Sequence, residues 1–150
     1  MKKSIGIILI MIFVLMMAAC ARGLDIGSFA HSEYGEIKDA GIQMRIVDET
    51  VTTKTDSLMI EYVNNMDTEV VFGEEPHLEI ESEGGWYVVP LKKDAAWNDI
   101  GYILSSGGRD EKESSMKSYY KALNPGHYRI VKTFFADSGN VIAAAEFDIK

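Results

Sequence analysis

Three residues with metal-binding side chains alternate along one predicted strand: His77, Glu79 and Glu81. Imidazole nitrogens and carboxylate oxygens are common zinc ligands, so the pattern suggests a divalent metal site. Residues two apart on a strand share a face, but their Cα atoms are about 6.6 Å apart, which is awkward for three ligands of one ion. The alternative is a polar outer face opposite Leu78 and Ile80. We expect that alternative, with neither metal nor other cofactor.

The remaining polar side chains form no recognisable catalytic motif. His31 and His127 have no neighbour in sequence that would orient a catalytic base, so both are expected to be solvated. The serines lie in predicted turns without a nucleophile-elbow pattern. The sequence has no HExxH, phosphate-binding glycine loop, calcium-loop spacing or paired metal cysteines. We therefore predict no catalytic residues and no enzymatic activity.

Cys20 is the only cysteine, and its position indicates lipid attachment. Two lysines follow the initial methionine, residues 4–17 form an apolar run, and two alanines directly precede Cys20. This order is typical of a secretory signal, and the run is shorter than the roughly 20 residues that span a bilayer. The end of the segment resembles the lipobox of bacterial lipoproteins, although Met17 stands where leucine is usual. The alternative is an ordinary cleaved signal with an incidental cysteine.

Lipidation of Cys20 has consequences for chemistry and location. A lipidated sulfur is a thioether, so it can be neither a nucleophile nor a metal ligand, and a single cysteine allows no internal disulfide. Two or three acyl chains give a stable anchor, since each buried methylene contributes about 0.8 kcal/mol. We expect the mature protein to sit on the extracellular face of the cell membrane.

The charge of the chain argues against nucleic-acid binding. The net charge is −8, and without Lys2 and Lys3 the mature chain has 13 basic against 23 acidic residues, or −10. Binding to phosphates needs clustered lysine and arginine, which the sequence lacks. An acidic surface also suits solubility alone or a cationic partner.

Aromatic residues supply the strongest hint of a binding surface. Trp86 and Tyr87 are adjacent on a predicted strand, so they cannot both face inward, and one should be exposed or covered by a loop. An exposed aromatic would mark a site for a surface protein or a glycan. The alternative is that these rings fill the core. The aromatic residues considered are Trp86, Tyr87, Trp97, Tyr102, Tyr119 and Tyr120.

Hydrophobic periodicity predicts short strands after residue 40. Residues 20–40 show no clear period and are interpreted as a lipidated tether that follows a signal peptide at 1–19. Period-two alternation begins at Gly41 and continues to Lys150, with turn residues every 8–12 positions or so and no long amphipathic helix. The pattern favours an all-β antiparallel sandwich of about 7–9 strands over residues 41–150. Predicted strands lie at 42–47, 58–63, 69–72, 77–81, 86–90, 100–104, 111–116 (an edge strand), 128–135 and 141–149, with a helical turn within 118–123.

The segment from Leu123 to Lys132 carries a family resemblance. Its Pro125-Gly126 turn delivers Tyr128 to the start of a late strand, as in the tyrosine corner of immunoglobulin-like and fibronectin-like sandwiches. With residues 85–90 and 99–104 it resembles a bacterial immunoglobulin-like domain family of Gram-positive surface proteins and lipoproteins, over about residues 41–150. Ser105 and Ser106 replace prolines that members often have, and Met116 replaces a tryptophan. The resemblance implies architecture and location, and no catalytic residues.

These observations predict a membrane-anchored extracellular lipoprotein with a non-catalytic immunoglobulin-like interaction domain. Its expected partners are the membrane, through lipid on Cys20, and a surface protein or glycan, with no nucleic acid. One alternative is a structural accessory of an envelope complex. The other is a metal-dependent surface protein that uses His77, Glu79 and Glu81.

Overall fold

The computed structural model describes residues 25–38 and 40–150. The predicted signal peptide and Cys20 lie outside these residues. In the described part of the chain, nine β-strands form two antiparallel sheets, in agreement with the predicted sandwich. The elements are a 3-10 turn (Ile26–Ser28), β1 (Ile42–Ile46), β2 (Ser57–Asn64), β3 (Val70–Gly73), β4 (Leu78–Ser82), β5 (Gly85–Val88), β6 (Gly101–Leu104), β7 (Arg109–Ser115), α1 (Met116–Tyr119), β8 (Gly126–Ala136) and β9 (Gly139–Ile149).

The smaller sheet has the strand order β1-β2-β7, and strand β8 organises the larger one. β9 pairs with β8 along its whole length, from Gly126 to Ala136. The other edge of β8 pairs first with β4 and then with β3, because Ile80 lies opposite Tyr128 and Val71 opposite Phe135. β3 and β4 therefore run in line beside β8, separated by residues 74–77. β5 extends the sheet beyond β4, and β6 extends it beyond β3.

The core lies between the two sheets and is built by alternating residues. Tyr62 of β2, Phe72 of β3 and Phe134 of β8 are buried, and the ring of Phe72 lies 4.6 Å from that of Tyr62 and 5.1 Å from that of Phe134. Full burial of side chains of this size contributes about 1.5–3 kcal/mol each. Because the apolar positions are spaced by two, each strand turns one row of side chains inward.

The predicted tyrosine corner is present. The side chain of Tyr128 is fully buried, and its hydroxyl donates a hydrogen bond of 2.9 Å to the carbonyl oxygen of Asn124. The bond ties the start of β8 to the preceding turn. Burial raises the pKa of this hydroxyl to about 12, with a smaller opposing effect of the hydrogen bond.

A lysine occupies an inward-facing position of β8. The Lys132 ammonium donates to the carbonyl oxygens of Gly73 (3.0 Å) and Glu75 (2.5 Å), in the interruption between β3 and β4. These carbonyls have lost the ladder partners that a continuous strand would give them, so the ammonium replaces those bonds. Burial lowers the pKa of Lys132 to about 8.

The predicted strands agree with the observed ones to within about two residues at most ends. A turn at Glu83 and Gly84 joins β4 to β5, with φ angles of 51° and 76°. These positive angles are those of a tight hairpin turn, where glycine is favoured. The helical turn begins at Met116, earlier than predicted, and β7 is the expected edge strand of the smaller sheet. Within residues 25–38 and 40–150, no helix is both long and apolar enough to cross a membrane.

Candidate functional site

Residues 31–35, which we call the strap, pack against the larger sheet. His31 forms an isolated antiparallel bridge with Tyr87 on the free edge of β5. The Ser32 amide donates to the carbonyl of Trp86 (2.9 Å), and the Val88 amide donates to the carbonyl of Ala30 (2.8 Å). The interpretation of residues 20–40 as a tether did not anticipate this contact, because the strap has no strand-like periodicity in its sequence.

Arg129 of β8 binds the strap to the outer face of the larger sheet. Its Nε donates to Glu79 Oε2 (2.7 Å), and its Nη atoms donate to the carbonyls of Tyr34 (2.9 Å) and Gly35 (3.1 Å). Ser32 Oγ donates to the other Glu79 oxygen at 2.6 Å. The side chains of Arg129 and Glu79 are only 2% and 0% exposed. A buried ion pair is tolerated only when its polar atoms are satisfied, and the strap supplies the missing partners.

The surroundings of Glu79 keep its carboxylate ionised. Burial alone would raise its pKa, but hydrogen bonds from His77, Ser32 and Arg129 outweigh burial and lower the pKa below its ordinary value. His77 Nε2 lies 2.8 Å from Glu79 Oε1. The ring of Trp86 covers the guanidinium of Arg129, with 4.2 Å between the guanidinium carbon and the ring centroid. The cluster is therefore a clamp that joins the strap to the sheet.

The three residues considered as metal ligands, His77, Glu79 and Glu81, do not converge on one point. His77 and Glu79 are in contact, whereas Glu81 is exposed. Among the described residues, no group of three histidine, cysteine or acidic side chains is arranged to hold a metal ion. Glu79 lies on the polar outer face opposite Leu78 and Ile80, as expected, but it is not exposed to solvent, because the strap covers it and Arg129 lies beside it in the register of β4 and β8. Glu79 is thus a structural carboxylate.

His127 also has partners that the sequence did not reveal. Its Nδ1 lies 2.8 Å from Asp148 Oδ1 and its Nε2 lies 3.2 Å from Glu146 Oε2. Asp148 is its register partner in β9, so the pairing depends on the β8–β9 hairpin. The hydrogen bond to Asp148 is the main reason that the pKa of His127 is raised, and Glu146 adds to it. His31 is exposed, as expected, and its ring lies against that of Tyr87, with the centroids 4.4 Å apart and the planes inclined at 40°.

A groove of about 410 Å³ lies on the outer face of the larger sheet, next to the clamp. Its floor is formed by β8 and Gly73 of β3, one wall by Glu33 and Tyr34 of the strap, and the other wall by residues 97–100. We call it the Trp97 groove. Because Arg129 fixes the carbonyl of Tyr34, the clamp also fixes the strap wall of the groove.

Exposed apolar side chains are concentrated at this groove and beside it. Four of the six exposed large hydrophobic residues in the described chain lie here: Trp97 (38% exposed), Ile100 (42%), Ile103 (63%) and Phe135 (54%). Ile103 and Phe135 lie on either side of Val71 in the register of β6, β3 and β8, so these three form a continuous apolar strip. Clustered exposed hydrophobic residues on a soluble domain commonly mark an interaction surface.

The groove is also acidic. Glu33, Glu74, Glu75 and Asp99 line it, whereas the basic residues among its lining are Lys132 and His77. Glu74 accepts hydrogen bonds from Tyr102 Oη and from the backbone and side-chain nitrogens of Asn98. These bonds lower its pKa and hold the Asn98 loop in place.

Trp86 and Tyr87 face opposite sides of the larger sheet, as their adjacent positions on a strand predict. Trp86 faces outward against Arg129 and His127, and Tyr87 packs against the core, so both are half-buried. Among the described Trp, Tyr and Phe side chains, the exposed ones are instead Trp97 and Phe135. Phe135 could have been found from its sequence, because adjacent Phe134 and Phe135 in a strand must face opposite sides. Tyr102 and Tyr119 are half-buried and Tyr120 is buried.

Comparisons with solved structures return distant likenesses. One is the alkylpurine DNA glycosylase AlkC of Pseudomonas fluorescens bound to DNA containing an abasic site analog, at 13% identity and a TM-score of 0.38. The match covers 75% of this chain and 31% of the glycosylase chain, so this chain spans about a third of that protein. Another is PapD-like domain 7 of human CEP192, at 13% identity and a TM-score of 0.34, covering 80% of this chain and 91% of that one.

A search of curated proteins finds no match. A family model, described as a bacterial Ig-like domain, matches residues 38–148. The match spans most of the chain and agrees with the resemblance seen over residues 41–150. Domains of this family are typically non-catalytic. With the two-sheet sandwich and the tyrosine corner in place, the match shows that the chain belongs to the bacterial Ig-like domain family.

Proposed function

We propose that this protein is a lipoprotein anchored through Cys20 to the extracellular face of the cell membrane, and that its Ig-like domain binds a partner without catalysing a reaction. The support for the anchor is the order of two lysines, an apolar run and two alanines before Cys20. This order is that of a secretory signal with a lipid-accepting cysteine. Surface location also suits the family.

The observation that carries the binding function is the concentration of exposed apolar side chains at the Trp97 groove. Trp97, Ile100, Ile103 and Phe135 face solvent on one side of one sheet. Interfaces typically combine an apolar, aromatic centre with a polar rim, and the carboxylates around the groove supply such a rim. The strap wall is held by buried bonds, so the surface is formed before a partner arrives, which lowers the entropic cost of binding.

The anchor would keep the groove close to the membrane. Nine residues lie between Cys20 and Ala30, where the chain joins the sheet beside Val88, so the two are ten residue steps apart. A fully extended chain of ten residues spans at most about 36 Å. The domain is therefore expected to meet partners within about one domain diameter of the bilayer surface.

The anchor is tested by a Cys20→Ser variant of the full chain, expressed in its native host. We expect the wild type in the membrane fraction, with a diacylglycerol-modified N-terminal peptide in mass spectrometry. The variant should be released or remain unprocessed. Unchanged membrane retention and normal processing of the variant would contradict lipidation.

The binding function is tested by a photo-crosslinking amino acid placed in the full-length protein on intact cells. Positions 97 and 135 lie at the groove, and position 47 is a matched control because Val47 is equally exposed (38%) but lies outside the groove lining. We expect a discrete crosslinked species from positions 97 and 135 and none from position 47. Identical patterns from all three positions, or no adduct at either groove position, would argue against the groove as a binding surface.

A further inference from the structure

We infer that the Trp97 groove receives a segment of a partner protein that carries lysine or arginine side chains. This inference rests on the proposed function, since it names the chemistry of the partner that the groove would bind. The basis is a combination of charge and aromatic surface in one place. Four carboxylates and two exposed aromatic rings line the groove or its floor.

The protein itself offsets only part of this negative charge, through the charge of Lys132, which acts on Glu74 and Glu75. Glu33, Glu75 and Asp99 are exposed, and no described side chain forms an ion pair with them within 4.0 Å. The ammonium of Lys132 is engaged by two backbone carbonyls in the interruption between β3 and β4. The groove therefore presents a surplus of negative charge to solvent, on a domain that is itself acidic. Complementary charge both speeds association and rejects partners of like charge.

The apolar part of the groove suits the same side chains. A lysine or arginine has a long apolar stem and a cationic head, so it can pack its stem on Ile100 and Phe135 while its head reaches a carboxylate. The face of an aromatic ring attracts a cation within about 6 Å, and Trp97 offers the ring type that does so best. Both properties are satisfied within one set of lining residues.

Other occupants fit less well. An acidic segment, or the acidic groove of a second copy of this chain, would place like charges opposite one another, which is unfavourable. A neutral glycan could stack on Trp97 and Phe135 but would gain nothing from the net charge of the carboxylates. Its binding would therefore be insensitive to salt, whereas binding of a cationic segment weakens as salt screens the exposed charges.

The test uses the full-length lipoprotein, purified in a neutral detergent, and two fluorescent eight-residue peptides. One alternates lysine with leucine, and the other alternates glutamate with leucine. Fluorescence anisotropy is measured in 50 mM and 500 mM NaCl. We expect the lysine peptide alone to bind, and its affinity to fall several-fold at the higher salt concentration. Equal binding of both peptides, or no loss of affinity with salt, would overturn the inference.

Two sets of variants locate the binding site. The variant Glu33→Gln/Glu75→Gln/Asp99→Asn removes three charges from the groove and should weaken binding about tenfold. The control Glu49→Gln/Asp67→Asn/Glu111→Gln removes three exposed charges elsewhere, so the net charge of the two proteins is the same. An equal loss in both would show general attraction to an acidic protein and refute a groove site.

A Trp97→Ala variant tests the aromatic contribution, since this exposed loop residue is not needed for the core. We expect it to weaken binding of the lysine peptide, and unchanged affinity would refute a role for the ring. The inference and the proposed function can fail separately. Crosslinks from positions 97 and 135, together with no affinity for the lysine peptide, would leave a binding domain whose partner is not cationic.

Discussion

Replacement of Arg129 by methionine should strongly destabilise the domain. The side chain fills a buried site in β8 and donates to Glu79 and to the carbonyls of Tyr34 and Gly35. Methionine matches much of its volume but donates no hydrogen bond, so the Glu79 carboxylate is left buried without its cation. Removal of one partner from a buried ion pair costs about 3–5 kcal/mol. The total stability of a domain is typically about 5–15 kcal/mol, so the loss is a large fraction.

The assay is urea unfolding monitored by tryptophan fluorescence, because Trp86 lies directly on the Arg129 guanidinium. A double variant, Arg129→Met/Glu79→Leu, should be more stable than Arg129→Met alone, since it leaves no unpaired buried charge. Lys117→Met is the matched control: the side chains of Lys117 and its partner Asp56 are 71% and 68% exposed, so we expect little change. A loss below about 1 kcal/mol for Arg129→Met, or a double variant no more stable than the single one, would refute the clamp.

The same pair predicts a dependence on pH. The pKa of Glu79 is lower in the native state than its ordinary value of 4.5. Its contribution to stability is therefore complete above the pKa of the unfolded chain and is lost as the pH falls through the native pKa. In Arg129→Met, the pKa of Glu79 should rise, and acid unfolding should begin at a higher pH than in the wild type. Coincident acid transitions would contradict this account.

Three further predictions concern single side chains. Tyr128→Phe removes the hydroxyl that donates to Asn124 and should lower the free energy of unfolding by about 1 kcal/mol in chemical denaturation; no change would show that the corner does not stabilise the fold. The pKa of His127 is raised, so its ion pairing stabilises the domain below pH 6.5 and is lost as the pH rises through the native pKa. Asp148→Asn should shift the imidazole titration seen by NMR to lower pH, and an unchanged titration would exclude that contact. Burial lowers the pKa of Lys132 from 10.5 to about 8, so the free energy of unfolding of the wild type should increase relative to that of Lys132→Met as the pH rises from 8 to 10.5. Urea unfolding of both proteins at pH 7.5 and at pH 10 measures this, and the same difference in stability at both pH values would contradict it.

The strands could be predicted because their information is local. In β9, for example, Ala145, Phe147 and Ile149 alternate with Glu146 and Asp148, and the structure buries all three apolar side chains. The tyrosine corner was equally accessible, because the turn before Tyr128 lies within four residues of it. Period-two patterns and turn residues report on neighbours in sequence, and the sandwich follows from their repetition.

The clamp could not be predicted because it joins distant parts of the chain mainly through backbone atoms. Arg129 is about 95 residues from the carbonyls of Tyr34 and Gly35, and a carbonyl oxygen has no signature in the sequence. Glu79 therefore looked like an ordinary surface carboxylate. The exposed position of Phe135 could be predicted from the Phe134-Phe135 pair, but one wall of the groove consists of strap residues, whose position on the sheet could not be predicted. Contacts of this kind appear only once the fold has brought the segments together.

The route by which the strap joins the sheet also sets how the domain would respond to mechanical force. A pull on the chain before Asp25 would first reach Ile26 and Phe29, which pack against the core, and then Ala30 and Ser32, where two backbone hydrogen bonds join the chain to β5. Beyond them the load would meet Arg129, whose contacts must break before tension reaches β1. Traction at the N-terminus would therefore act on the contacts of residues 26–35 before it acts on β1.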